Sequence, residues 1–165
     1  METAVYTGSF DPLTVGHLNV IQRASRLVNR LVVGIGINVD KQAMFSPQER
    51  KELIESCLTE IPNTEVLIFE GLAVDFVRKC GATAMIRGVR PLTDIAAEFT
   101  MTMANRQLDE SLETVFLMSD PAYSHVSSSL IKQVAPLADD EQLARFVPRQ
   151  IIGPVRQRLS ERASS

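Results

Sequence analysis

Tryptophan is absent from this chain and cysteine nearly so. The two cysteines, Cys57 and Cys80, lie far apart and outside any CxxC spacing, so neither a disulfide framework nor a thiolate zinc site is expected and a reducing compartment is favoured. Long apolar runs are missing as well. A membrane-spanning helix needs ~20 nearly uninterrupted apolar residues, and stretches such as Leu31 to Ile37 are far shorter. No basic region stands ahead of a long apolar segment at the amino terminus, so no secretory signal is expected and the expected location is cytoplasmic. Positive charge is not in excess: the formal net charge is -3. That argues against a nucleic-acid binder, which usually carries a domain-wide basic surplus. Any handling of phosphate must be local.

Several catalytic signatures are also missing. Gly34-Ile35-Gly36 supplies two glycines of GxGxxG but not the third, and it falls inside an apolar run rather than at a helix start, which disfavours a dinucleotide oxidoreductase. No GxxxxGK[ST] segment occurs, so a Walker-type nucleotide hydrolase is disfavoured too. Neither a GxSxG elbow nor HExxH is present, leaving no support for a serine hydrolase or a zinc peptidase.

What remains is an ordinary globular composition, 45% hydrophobic and 22% charged over 165 residues, with 8 glycines and 8 prolines. This excludes disorder and collagen and fits one domain spanning 1–165. Thr3 to Thr7 reads as a strand and Leu18 to Val28 as a helix. Leu31 to Ile37 has the continuous apolar pattern of a parallel strand buried on both faces. Ser46-Pro47-Gln48-Glu49 combines an N-cap serine, proline at the first helical position and glutamate three residues on, so a helix starts there and runs to about Thr59. Glu65 to Phe69 is a third strand, and Leu72 to Lys79 a helix stopped by Gly81. Thr83 to Ile86 is a fourth strand. Thr93 to Leu108 is a long helix with Ile95, Phe99 and Met103 at helical spacing, and Glu113 to Met118 a fifth strand. From Ser127 the chain reads as helices broken at Pro136 and reset at Pro148, with Pro154 as a kink in the last. Strand and helix alternate, so the expected fold is α/β: Rossmann-like and doubly wound, with five mostly parallel strands, helices on both faces and a helical C-terminal segment. In such folds the ligand crevice lies at the carboxyl ends of the strands, where the strand order reverses.

The polar oddities follow the strands. After the first comes Thr7-Gly8-Ser9-Phe10-Asp11-Pro12-Leu13-Thr14-Val15-Gly16-His17, a turn leading into a helix whose first amides favour an anion. After the second comes Lys41, a flexible point charge suited to phosphate. Arg87 and Arg90 flank Gly88 after the fourth and can aim guanidinium forks at two phosphates. Ser127, Ser128 and Ser129, after the fifth, provide N-cap hydroxyls and exposed amides. Glu98, Met101 and Asn105 share one face of the long helix, which could meet substrate, although Met101 fits a core equally well. Each feature alone has an ordinary structural account: a turn, a solvated lysine, solvent-facing arginines, a serine cap, a histidine that caps nothing.

Together they match a signature. Gly8-Ser9-Phe10-Asp11-Pro12 followed by Thr14-x-Gly16-His17 resembles the (H/T)xGH motif of the nucleotidyltransferases, in the threonine form of the phosphopantetheine adenylyltransferase family. Further along, Lys41 ahead of Met44 to Arg50 resembles that family's lysine segment, Ile86-Arg87-Gly88-Val89-Arg90 its IRGxR, Asn105-Arg106 its NR pair, and Tyr123 to Lys132 its serine-rich segment. The resemblance implies transfer of the adenylyl group of ATP to 4'-phosphopantetheine. Under it His17, Lys41 and Arg90 are catalytic. Ser9, Phe10, His17, Gly88, Val89, Arg90, Glu98, Tyr123, Ser124, His125, Val126, Ser127, Ser128 and Ser129 contact ATP, and Ser9, Lys41, Ala73 and Arg87 the phosphopantetheine side. It also implies magnesium carried mainly by ATP, a homohexamer, and coenzyme A as a possible feedback ligand. Around Asp94 to Glu98 the chain keeps only the outer acids of the family's D-(F/Y)-E-x-E pattern, and Ala73 stands where a larger apolar residue is common. Other nucleotidyltransferases, for CTP or for nicotinamide mononucleotide, are the nearest alternatives, and a nucleotide-binding regulator without chemistry is a third.

Overall fold

The structure, a computed structural model, describes residues 2–37, 43–90 and 94–163. Five strands form one sheet: β1 (Thr3–Gly8), β2 (Arg30–Gly36), β3 (Thr64–Phe69), β4 (Ala84–Val89) and β5 (Glu113–Met118). Their order is β3-β2-β1-β4-β5 and every neighbouring pair is parallel. The order therefore reverses between β1 and β4, which places the switch point beside the turn that carries His17.

Alternation along the strands sends side chains to two cores. Ala4, Tyr6, Leu31, Val33 and Ile35 face one side of the sheet, with the helices α1 (Val15–Ser25) and α2 (Pro47–Cys57) and the C-terminal helices. Val5, Val32 and Met85 face the other, against α3 (Ala73–Lys79). Central parallel strands need cover on both faces, which explains the unbroken apolar run in β2. The long helix α4 (Ile95–Leu108) is covered least: Asn105 is its one buried residue, while Ile95, Phe99, Met101, Met103 and Leu108 are exposed. Met101 is thus not a core residue. After β5 follow a short turn of 3-10 helix (Pro121–Tyr123), α5 (Ser128–Val134), α6 (Asp140–Leu143), a second 3-10 turn (Arg149–Ile151) and α7 (Ile152–Ala163).

Three sequence expectations need correction. The fourth strand extends to Val89 because β4 pairs with β5 as far as Val89 opposite Met118, so Arg87 and Gly88 lie in a strand and not on a loop. The first helix begins at Val15, since Thr14 caps it. Pro154 kinks nothing, for it lies in the first turn of α7, where its missing N–H has no helical partner to lose.

Gly34 shows how tight the second core is. A Cβ there would come within 2.4 Å of Cε1 of Phe76, whose ring stacks on Phe69 with centroids 4.3 Å apart. Gly34→Ala should therefore destabilise the fold by about 1–3 kcal/mol, seen as a lower Tm in thermal unfolding. An unchanged Tm would show that the aromatic pair yields freely.

Candidate active site

The turn after β1 is held from several sides. Phe10 has a left-handed backbone (φ 48°), a costly conformation for a bulky residue. Its ring folds back over Gly8, where a Cβ would lie 2.8 Å from the ring's Cζ. That close approach is why glycine is required there. The same ring packs edge-on between Tyr6 (5.3 Å) and His17 (5.1 Å). The Asp11 carboxylate accepts hydrogen bonds from the amides of Met44 (2.8 Å) and Phe45 (2.8 Å), and the buried Arg50 donates to the Ser9 carbonyl at 2.8 Å.

His17 is fixed by a reciprocal cap. Its backbone N–H donates to Thr14 Oγ1 (3.0 Å), and its Nδ1 accepts from the Thr14 amide (3.2 Å). This makes histidine the third-position partner of a capping box, a place usually taken by glutamate or glutamine. An Nδ1 that accepts carries no proton, so the neutral ring is protonated at Nε2, which becomes a donor. Burial, followed by the charges of Arg90 and Arg87, pushes the His17 pKa down to about 4. At neutral pH the group is an uncharged hydrogen-bond donor. Far from capping nothing, His17 is oriented by the helix it starts. The cap also consumes amides expected to cradle an anion: Val15 donates to the Phe146 carbonyl and His17 to Thr14, leaving that of Gly16 among the first three.

Because the folded-state pKa lies below the unfolded value of about 6.5, the unfolded chain binds the extra proton as pH falls. The stabilising contribution is complete above about 6.5 and lost progressively toward about 4. Thermal unfolding across this range should show wild type losing more stability than His17→Gln, which keeps a capping acceptor but cannot titrate. Parallel curves for the two proteins would contradict this.

These groups open into one cleft of about 360 Å³ at the switch point. Of the expected site residues, Ser9, Phe10, His17, Arg87, Gly88, Arg90, Glu98, Tyr123, Val126, Ser127, Ser128 and Ser129 all line it. The two arginines are not the free forks expected from the sequence. Arg87 donates through Nε and Nη2 to the Glu98 carboxylate (both 2.7 Å) and through Nη1 to the carbonyl (2.8 Å) and hydroxyl (3.0 Å) of Thr7. Arg90 forks onto Asp94 at 2.7 and 2.8 Å. The outer acids of the α4 segment thus already hold the guanidiniums, and an incoming phosphate must share or displace them.

Other expected residues fall outside the cleft wall. Val89 is buried in the core. Ser124 bonds the Pro121 carbonyl, and His125 is exposed, edge-on to Phe146. Ala73 opens α3, beyond the end of β3. Lys41 lies outside the described residues. Sequence reasoning passed over Tyr6, Arg50 and Asp11 as site residues. Tyr6 lines the cleft, and burial, opposed by the Arg87 charge, holds its phenol protonated well above the ordinary range. Asp11 stood within the quoted motif, but nothing in its spacing announced that its carboxylate turns inward. Among the described residues no group of three His, Cys, Asp or Glu side chains could hold a metal ion, and both cysteines are free.

Comparison with known proteins bears on the family and the fold. The family model described as cytidylyltransferase-like matches residues 5–134. A phosphopantetheine adenylyltransferase of Rhodopirellula baltica is 61% identical over 158 residues, covering 95% of this chain and 88% of its own. One from Clostridium perfringens is 45% identical over 160 residues, covering 97% and 96%. Among solved structures, a putative nicotinate-nucleotide adenylyltransferase from Vibrio parahaemolyticus superposes with a TM-score of 0.67 at 15% identity, covering 98% of this chain and 93% of its own. Thermotoga maritima TmcAL, bound with α-thio ATP, gives 0.69 at 10% identity, covering 98% and 56%. At such low identity these two structures speak for the fold alone.

Proposed function

The chain belongs to the phosphopantetheine adenylyltransferase family, and we infer that it transfers the adenylyl group of ATP to 4'-phosphopantetheine, releasing dephospho-coenzyme A and pyrophosphate. The observation that carries this reading to the site is the cleft itself. A neutral imidazole, two arginines and a serine-rich helix start face one cavity where the sheet order reverses.

The chemistry asks little of a protein beyond placement and charge stabilisation. An oxygen of the phosphopantetheine phosphate attacks the α-phosphorus of ATP. The bond from that phosphorus to the bridging oxygen breaks, and the electron pair leaves with pyrophosphate. A phosphate monoester is already ionised at neutral pH, so no side chain need remove a proton. In this mechanism Nε2–H of His17 donates to an oxygen of the transferring phosphate. Arg90, the Gly16 amide and Ser127 to Ser129 meet the triphosphate, while Arg87 and Lys41 meet the acceptor phosphate. A donor that stays neutral suits this role, because it stabilises developing charge without surrendering its proton. Magnesium enters as the companion of ATP phosphates. The described residues offer it no cage, and Asp94 and Glu98 are engaged by arginines.

A substrate panel tests the activity. Pyrophosphate should appear with ATP and 4'-phosphopantetheine together, and not with either alone. Turnover with CTP or nicotinamide mononucleotide in their place would transfer the protein to a neighbouring activity, and binding without turnover would make it a regulator.

We also propose that the protein acts as a homohexamer in the cytoplasm. Support comes from the exposed apolar side chains of α4, joined by Phe116 and Met118 on edge strand β5, since an apolar surface of this kind marks an interface. The solution mass should be six times that of the 18.3 kDa chain, and a monomer by light scattering would refute it. No described helix is long and apolar enough to cross a membrane. Coenzyme A, which shares the phosphopantetheine arm, is proposed as a feedback ligand competing with that substrate. Inhibition that 4'-phosphopantetheine does not relieve would exclude it.

A further inference from the structure

The two walls of the cleft are joined behind it by contacts that none of the roles above requires. One wall is the turn carrying Ser9, Phe10 and His17, and the other is the start of α5. Ser128 and Lys132 stand four residues apart on α5, hence on one face of the helix. Both grip the same dipeptide. Ser128 Oγ donates to the Pro12 carbonyl at 2.8 Å, and Lys132 Nζ lies 2.6 Å from Asp11 Oδ2. Asp11 and Pro12 follow directly on Phe10, whose ring packs against the imidazole of His17. The position of α5 and that of the imidazole are therefore set by one short segment. Neither Asp11 nor Lys132 lines the cleft.

We propose that Asp11 and Lys132 are positioning residues for adenylyl transfer, their ion pair setting the distance between His17 and the serines at the start of α5. The proposal rests on the activity inferred above and adds the device that aligns its two walls.

The geometry separates this role from simple support of the fold. Asp11 Oδ1 accepts from the amides of Met44 (3.0 Å) and Phe45 (2.8 Å), and Oδ2 accepts from Met44 (2.8 Å). Removing the lysine leaves the buried carboxylate with these bonds, and with the Arg50 charge nearby. Lys132 is itself about one-third exposed, at 35% of its side chain. An ion pair with so exposed a member adds little to stability. Its loss should be felt as a shift of α5 rather than as unfolding, and misplacement on the scale of an ångström is costly to a reaction that depends on alignment.

The test is steady-state pyrophosphate release by the full chain with ATP and 4'-phosphopantetheine, on wild type, Lys132→Met and Lys132→Arg, with Tm measured alongside. Lys132→Met should lose ~20- to 100-fold in kcat with KM for either substrate changed by less than ~3-fold. Its Tm should fall by no more than a few degrees. Lys132→Arg, which keeps a cation within reach of the carboxylate, should recover to within ~5-fold of wild type. A kcat for Lys132→Met within ~2-fold of wild type overturns the proposal. So does a kcat loss that arginine fails to rescue, or one that simply tracks a collapse in Tm. Should Lys132→Met fail to fold, the role is structural and the proposal falls. A wild type silent with both substrates would defeat the inferred activity, whereas an active wild type matched by Lys132→Met would defeat the positioning role alone.

Discussion

His17→Ala should lower kcat by ~10²- to 10³-fold, by comparison with removal of a single preorganised donor at other active sites. The donor is built before substrate arrives: the Thr14 amide occupies Nδ1 and thereby assigns the remaining proton to Nε2. Water has been removed from much of the ring, and the two arginines discourage its protonation. The substitution should change ATP affinity far less than turnover, since the hydrogen bond strengthens as charge gathers on the transferring phosphate. His17→Gln is the informative companion. It can preserve the cap and the fold while losing the imidazole, so a similar kcat deficit would assign the loss to chemistry rather than to a frayed helix. Steady-state kinetics paired with an ATP titration makes the measurement. Loss of ATP affinity in proportion to kcat would recast His17 as a binding residue.

Arg87→Met should have the next largest effect, on both binding and stability. The Arg87 guanidinium ties three elements together: β4 carries it, the end of β1 supplies two acceptors from Thr7, and α4 supplies Glu98. Removing it leaves the Glu98 carboxylate, 18% exposed, without its ion-pair partner. For a fully buried pair that penalty is about 3–5 kcal/mol, and solvent access here should reduce it to about 2 kcal/mol. KM for 4'-phosphopantetheine should rise by ~10- to 100-fold, the value of a charge-assisted fork to phosphate. Thermal unfolding and initial rates at varied acceptor check the two halves separately. A lower Tm with unchanged KM would limit Arg87 to holding α4.

Much of this was legible in the chain, for physical reasons. Parallel strands buried on both faces must be apolar throughout, so β2 announced itself. The α2 start was equally clear, because Ser46, Pro47 and Glu49 are local signals that need no tertiary context, and the structure realises that capping box. The position of the cleft followed from topology, and the match to known motifs named most of its lining. Boundaries and pairings were harder. Whether β4 ends at Ile86 or Val89 depends on its partner β5, which local sequence does not report. The arginine forks looked available because an acidic residue four or eleven positions on is common in any helix; only the fold turns Asp94 and Glu98 back onto Arg90 and Arg87. The unusual cap was hidden for another reason: histidine is a rare third-position partner, so Thr14 and His17 read as motif rather than as helix start. Asp11 was concealed by distance, its partners lying 33 to 121 residues away.

If a single pocket holds donor and acceptor side by side, the adenylyl group passes between them in one displacement and never rests on the protein. ATP made chiral at the α-phosphorus by sulfur substitution reads this out. The stereochemistry of the dephospho-coenzyme A analogue formed should be inverted, with no label from the α-phosphorus left on the chain; retention, or a labelled protein, would contradict the account.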